Sequence, residues 1–353
     1  MAIADPARVQ EARKVFFDGH GLPVEQINHA ILRSWIRCAD MGLDAHAAPR
    51  AGLPTASEIR QLHEKYDALS RLCRPELDAL YAEARTVSGI VVLTNAHGEV
   101  LDAVGDPSFA GKAAEVSLRP GAQWSEDGTG TNAIGTALAE RRAVVVNGAE
   151  HYFQAHSILS CAATPIIDPR GATIGVLDIS TPATTPAGLM LGMVRLAVEQ
   201  IEHRMFRGGF EGCRTLRFQA DRNMLGAARE GILVFRDDTL VAANRWGLSL
   251  VNSGWQVLDQ ARFSELFDAD LTGFRPGRLF GADGREFHAL LDDAEGPSPQ
   301  PLRRDPESLE DVELVAIRKA LDAHAGNVSA AARRLGIHRS TIYRRMKEIA
   351  GEG

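Results

Sequence analysis

Two groups of residues have types and spacing suited to chemistry. Between positions 338 and 347 the chain collects His338, Arg339, Ser340, Thr341, Tyr343, Arg344, Arg345 and Lys347. Read as a helix from Arg339 to Ile349, this stretch keeps Ile342, Met346 and Ile349 on one apolar stripe and projects Ser340, Tyr343, Arg344 and Lys347 the other way. An arginine at the start of such a helix can pair bidentately with guanine, while hydroxyls and further cations hold phosphates. The second group is His151, His156 and Cys161, evenly spaced by five, with Trp124 upstream and Phe153 between them. On a helix that spacing would spread the three over different sides, and a metal site would need a fourth ligand. Structural hydrogen bonding and direct contact with a small ligand are the other readings. Trp124 could close over such a ligand or simply fill the core. A cysteine beside a histidine is a nucleophile type, and Asp168 extends the set toward an enzyme, yet no coherent acid, base and nucleophile emerges. No catalytic residue, metal or cofactor is expected.

The elements around the first group read as three short helices. Leu314, Ile317 and Leu321 line the first, Gly326 and Asn327 break it, and Asn327 caps a second over Val328–Leu335. Gly336 supplies the tight turn into the third. Alanines at the centre of the second helix let another helix cross closely, as a helix-turn-helix requires. Six basic residues against Glu348 give His324–Ile349 a local +5, so the remainder of a chain with net charge −7 sums to −12. A general positive coat is excluded; a polyanion partner is expected at this end only.

The 353 residues, 45% hydrophobic and 24% charged, suit two or three globular domains. The four cysteines show no C-x-x-C pair, the first residues lack an apolar signal core, and no apolar run approaches membrane-spanning length. These features predict a soluble cytoplasmic protein with no membrane partner. The first eighty residues read as helices, one ending at Gly42 and another opening near Pro54 and Ser57. Hairpins are expected at 89–102 around Asn95–Gly98, at 164–179 around Asp168–Gly171, and at 231–241, with a strand at 143–146 and closing strands at 278–280 and 286–291. Asp127–Glu140 is a Gly/Thr-rich loop entering a short helix. Met190, Val194, Ala197, Ile201 and Met205 form one apolar stripe, which either packs on its own sheet or forms a dimer seam. Residues 208–217 read as a connector and 293–308 as a linker.

The run Gly326–Glu348 resembles the helix-turn-helix of the nucleoid protein Fis and of the enhancer-binding regulators that share it, over nearly all of 309–348. The resemblance implies base reading by His338 and Arg339 and phosphate contacts from Thr341 and Arg344. Residues 80–206 resemble the GAF domain of regulators related to the acetoin catabolism activator, through Gly121–Thr136, His151–Phe153, His156, Cys161–Asp168 and Gly175–Ser180; Ser34–Leu43 resembles the segment preceding that domain. Residues 218–292 bear a fainter, PAS-like resemblance through the hairpin and Ala242–Arg245. The implied architecture is multidomain α+β: a helical region 1–79, a GAF-type antiparallel sheet sensor 80–207, a PAS-like α+β module 218–292, the linker, and an all-α helix-turn-helix domain 309–353.

The resemblance implies a one-component regulator, dimeric and nucleoid-associated, with double-stranded DNA and a small organic effector as partners. Candidate effector contacts are Trp124, Thr131, Asn132, His151, Phe153, His156 and Cys161. The chain departs from the family in having no P-loop: Gly105–Ala113 has the wrong spacing and no Ser/Thr after Lys112. It also lacks the Gly-Ala-Phe-Thr-Gly-Ala loop. It is therefore expected to act through RNA polymerase or a full-length ATPase-containing relative. A Fis-like DNA-bending architectural protein with vestigial sensors is the alternative.

Overall fold

The computed structural model describes residues 5–47, 54–105, 118–185 and 187–292, together with Val328 and Ala332. Two compact units divide between Ala294 and Glu295. In the second, Val328 and Ala332 are helical and Ala332 is buried. The base- and phosphate-contact candidates, His338 to Lys347, lie outside the described residues, as do the linker and the Lys112 segment.

The first unit is α+β with two open antiparallel sheets. Each N-terminal helix begins where the sequence satisfies its leading N–H groups. Asp5 accepts from the Ala7 N–H to start α1 (Pro6–Phe17), and Asn28 accepts from Ala30 to start α2 (His29–Asp40). Thr55 and Glu58 form a reciprocal capping box at the head of α3 (Ala56–Ala84), which kinks at Tyr66. Gly42, at φ +75°, lets the chain leave α2.

Strands β1 (Ile90–Asn95), β2 (Val100–Gly105), β3 (Val144–Asn147), β4 (Leu159–Ile167) and β5 (Thr173–Pro182) form the first sheet in the order β2-β1-β5-β4-β3. Alternation along each strand sorts side chains between two cores. On one face Leu77 and Leu80 of α3, with Met190, Val194 and Ile201 of α6 (Ala187–Arg204), cover Val91, Ala162 and Leu177. The stripe on α6 thus packs on its own sheet. On the other face Ala12 of α1, Ile31, Trp35 and Cys38 of α2, and Ile134 and Ala137 of α5 (Ala133–Glu140) cover Val92, Cys161 and Val176. The short α4 (Glu126–Thr129) precedes α5.

The second sheet contains β6 (Arg214–Gln219), β7 (Gly231–Arg236), β8 (Thr239–Ala243), β9 (Gly277–Phe280) and β10 (Glu286–Asp292), ordered β8-β7-β6-β10-β9. Its core gathers Phe218, Phe235, Phe263, Phe267 and Phe287. Strand β6 begins inside the stretch read as a connector. Arg214 and Arg217 masked the alternation of Thr215, Leu216 and Phe218, and the glycines upstream pulled the reading toward loop. Two short helices, α7 (Arg245–Leu250) and α8 (Phe263–Leu266), flank this sheet.

Polar contacts join the two sheets. The β4–β5 turn offers the Pro169 carbonyl to Ala243 N–H at 3.0 Å, and Arg170 pairs bidentately with Asp259 at 3.0 and 2.6 Å. Where the β4–β5 register slips between Ile166 and Ile167, the Ile167 N–H is taken by Glu202 of α6 at 2.7 Å. The same carboxylate receives Arg245 of α7 at 2.6 and 2.9 Å.

Candidate functional site

The N-terminal helices hold the segment that carries the first histidine. Arg13 of α1 donates to the carbonyls of Ala149, His151 and Tyr152 at 3.1, 2.5 and 3.0 Å. Trp35 of α2 donates its indole N–H to the Glu150 carbonyl at 2.8 Å. A bidentate pair from Arg37 to the buried Glu126 (2.7 and 2.8 Å) ties α2 to α4, with Ser34 Oγ 2.6 Å from the same carboxylate.

Those braces bring His151, Phe153, His156, Cys161 and Trp124 together on the inner face of the first sheet. Their convergence does not come from a helix. Two short 3-10 turns, Gly148–Glu150 and Gln154–Ile158, fold the chain back before it enters β4, which reconciles even spacing with a shared location. His156 is fully buried and stacks on Trp124, with centroids 5.0 Å apart and planes at 28°. Phe153 and His151 meet it edge-on at 6.0 and 6.2 Å. Among the described residues neither ring nitrogen of His156 has a partner that meets hydrogen-bond geometry. Burial, only partly offset by the nearby Thr129 backbone, lowers its pKa to about 4.

The sheet adds two residues that sequence reasoning passed over. Cys161 Sγ lies 3.6 Å from His151 Nε2 and 3.1 Å from Ser180 Oγ, and Ser180 Oγ lies 2.6 Å from Asp178 Oδ2. All four residues are buried. Burial pushes Asp178 up to about 7, raises Cys161 well above its ordinary value, and lowers His151 to about 3. His151 Nδ1 lies 3.0 Å from the Gly148 carbonyl, which can only accept, so the neutral ring carries its proton there and presents Nε2 as an acceptor. When Asp178 is protonated, below about pH 7, it can supply the bond to Ser180, freeing the serine hydroxyl for Cys161 and the thiol for His151. In that state the chain of donors is neutral, with no thiolate. Asp178 Oδ1 has no partner among the described residues. The missed signal was register: Cys161 stands opposite Ser180 and Ala163 opposite Asp178.

The remaining candidates stand apart. Thr131 Oγ1 is 2.7 Å from Ser34 and 3.6 Å from Cys38, on the α2 side. Asn132 caps α5 through Gly135 N–H at 2.8 Å and spends its amide on Thr129 and Gly130. Asp168 serves the β4–β5 turn, accepting from Arg170 and Ala172 backbone N–H groups, so the His/Cys/Asp168 set does not assemble. Among the described residues no group of three or more His, Cys, Asp or Glu is placed to hold a metal ion.

Asp178 has a measurable consequence. Its folded-state pKa stands above the ordinary 3.8, so its protonated form favours the fold fully below that value, and the contribution fades as pH rises through about 7. Asp178→Asn escapes this loss. Its melting temperature relative to the parent is expected to climb between about pH 5 and pH 8, equivalent to about 2–4 kcal/mol. Buried Glu150, also raised to about 7, titrates in the same window, which is why the difference between parent and variant is the quantity to measure. A difference independent of pH would refute a buried, protonated Asp178.

Residues 5–203, more than half the chain, match the family model described as MimR, N-terminal domain. The chain belongs to that family. Residues 308–348 match a second family, bacterial regulatory protein, Fis family. The acetoin catabolism regulatory protein of Cupriavidus necator is 31% identical over 253 residues, covering 68% of this chain and 38% of that protein. The propane 2-monooxygenase operon transcriptional activator MimR of Mycolicibacterium smegmatis is 32% identical over 203 residues, covering 57% of this chain and 33% of that protein. The chain therefore spans well under half the length of either relative. Among solved structures, the E. coli DhaR(N)–DhaL complex aligns with a TM-score of 0.47 at 13% identity, over 75% of this chain and 100% of that one. Between the two family matches the chain carries the second antiparallel sheet. No helix among the described residues is long and apolar enough to cross a membrane.

Proposed function

We propose that this chain is a DNA-binding transcriptional regulator that responds to a small organic effector without an ATPase of its own. The observation that carries this reading is the joining of a MimR-type N-terminal domain to a Fis-family element in one chain. In this reading the first sheet, residues 80–207, is a GAF-type sensor braced by the helices of 1–79. Residues 218–292 are a PAS-like module, 293–308 a linker, and 309–353 the helix-turn-helix domain. Arg339 and His338 read bases; Ser340, Thr341, Tyr343, Arg344, Arg345 and Lys347 hold the backbone. A homodimer would present two such elements to half-sites about one helical turn apart, roughly 10 base pairs. It would work in the cytoplasm, on nucleoid DNA, through RNA polymerase or an ATPase-containing relative.

The effector would sit against Trp124, Phe153 and His156, near His151 and Cys161. The unpartnered nitrogens of His156 and oxygen of Asp178 suit a hydroxyl or carbonyl compound, since buried polar groups of this kind ask for a partner. Thr131 and Asn132 would act at one remove, holding α2 and capping α5 behind the site. Both relatives carry names tied to catabolism of small organic molecules, which favours an effector of that size.

The test is fluorescence anisotropy of the full chain with DNA from upstream of its own gene, with and without a panel of small alcohols, ketones and aromatics. An active compound is expected to change DNA affinity, and His156→Gln to abolish that change while leaving DNA binding intact. Binding with little sequence preference and no response to any compound would overturn the reading in favour of a DNA-bending architectural protein.

A further inference from the structure

A cleft of about 640 Å³ lies where the two sheets meet, between α6 and α7. Its size falls within the range of small-molecule sites. Four arginines line it, Arg142, Arg195, Arg229 and Arg245, against the carboxylates of Glu199 and Glu202. Two of those cations are already engaged: Arg245 by Glu202, and Arg229 by Glu199 at 2.8 Å. Arg142 reaches Glu140 only at 3.7 Å, and Arg195 has no hydrogen bond or ion pair among the described residues. The cleft thus carries surplus positive charge with a free guanidinium at its edge.

Other features of the walls point the same way. Thr164, on the face of β4 that α6 covers, is 3% exposed, and its hydroxyl has no hydrogen-bond partner among the described residues. Half-buried Trp246 supplies an aromatic surface, with the Arg229 guanidinium 5.5 Å from its ring, and Leu196 supplies an aliphatic one. Gly192 lies within α6, where glycine is a weaker helix former than alanine. A Cβ there would meet nothing within 4 Å. The helix leaves room on this wall at the expense of its own stability.

We infer that this cleft is a second binding site, separate from the His156 cluster, for a small organic anion whose carboxylate meets Arg195 and whose body lies against Trp246 and Leu196. An occupant would touch α6 of the first module and α7 of the second, and so would favour their docked arrangement. The inference is independent of the regulator reading, because its test needs no DNA.

Benzoate is the probe, titrated into the full chain by calorimetry. Saturable one-to-one binding is expected, weakening with salt. Benzamide, the neutral isostere, and the variant Arg195→Gln are each expected to bind about tenfold or more weakly, the worth of a charge-assisted bond. Gly192→Leu is expected to keep or raise the melting temperature, since it meets open space and favours helix, yet to abolish binding by filling the cleft. Absence of binding up to about 10 mM benzoate, a free energy below about 3 kcal/mol, would overturn the proposal. So would equal affinity for benzamide. Binding that survives Arg195→Gln and Gly192→Leu but is lost in His156→Gln would place the anion on the first sheet and refute it equally.

Discussion

Alanine in place of Gly130 is expected to destabilise the first module by about 3–5 kcal/mol and lower its melting temperature by about 10 °C. Gly130 ends α4 at φ +62°, ψ −162°, a region open essentially to glycine alone. A Cβ there would fall 2.6 Å from the Cβ of Tyr152 and 3.2 Å from the Phe153 ring. Neither neighbour can retreat easily. Tyr152 is held by its hydroxyl to the Leu43 carbonyl at 2.8 Å and by its N–H to the Thr131 carbonyl at 3.1 Å, and Phe153 abuts His156. Gly128 is the control: its added Cβ would approach no atom closer than 3.8 Å, so Gly128→Ala is expected to be close to neutral. Of the two glycines in this loop, the backbone makes only Gly130 matter, and to folding. Equal melting temperatures for the two variants would contradict this account.

Arg339→Ala is expected to weaken binding to the specific DNA site by about ten- to a hundredfold while leaving nonspecific binding nearly unchanged. A bidentate arginine–guanine pair is worth about 1–3 kcal/mol of discrimination. If Arg344 holds a phosphate, as proposed, Arg344→Ala should weaken all sequences alike and reduce the slope of log affinity against log salt by about one. The contrast between the two variants is the diagnostic. The acidic remainder of the chain, at −12, repels DNA and should make the nonspecific background low enough for that contrast to be read. Parental affinity in both variants would remove the basis for assigning these residues to base and phosphate contacts.

Much of the first unit was legible because its turns are written locally. Asn95–Gly98 and Asp168–Gly171 each close on a glycine at φ +82°, and the apolar runs on either side pair as antiparallel hairpins. The stripe on α6 was legible as a stripe, but periodicity states only that a face is buried and not against what. Strand β6 was hidden because Arg214 opens it and Arg217 interrupts its apolar residues. At the candidate site, residue type drew attention to His151, His156 and Cys161, whereas Asp178 and Ser180 sit in an apolar strand where a single acid carries no local mark. Their membership depends on which residue of β4 faces which residue of β5, a pairing between positions about twenty residues apart in sequence. Thr131 and Asn132 illustrate the converse. They lie within the resembling motif, and their polar atoms are consumed in holding α2 and capping α5.

The slip in register at Ile167 bears on how a signal could cross between the sheets. Its amide would have no ladder partner there, and Glu202 answers it while also gripping Arg245 from the other module. Glu202 is nearly buried, so parting the sheets would leave this carboxylate without its arginine where a lone charge is costly, and the pair thereby favours the docked arrangement of the two sheets.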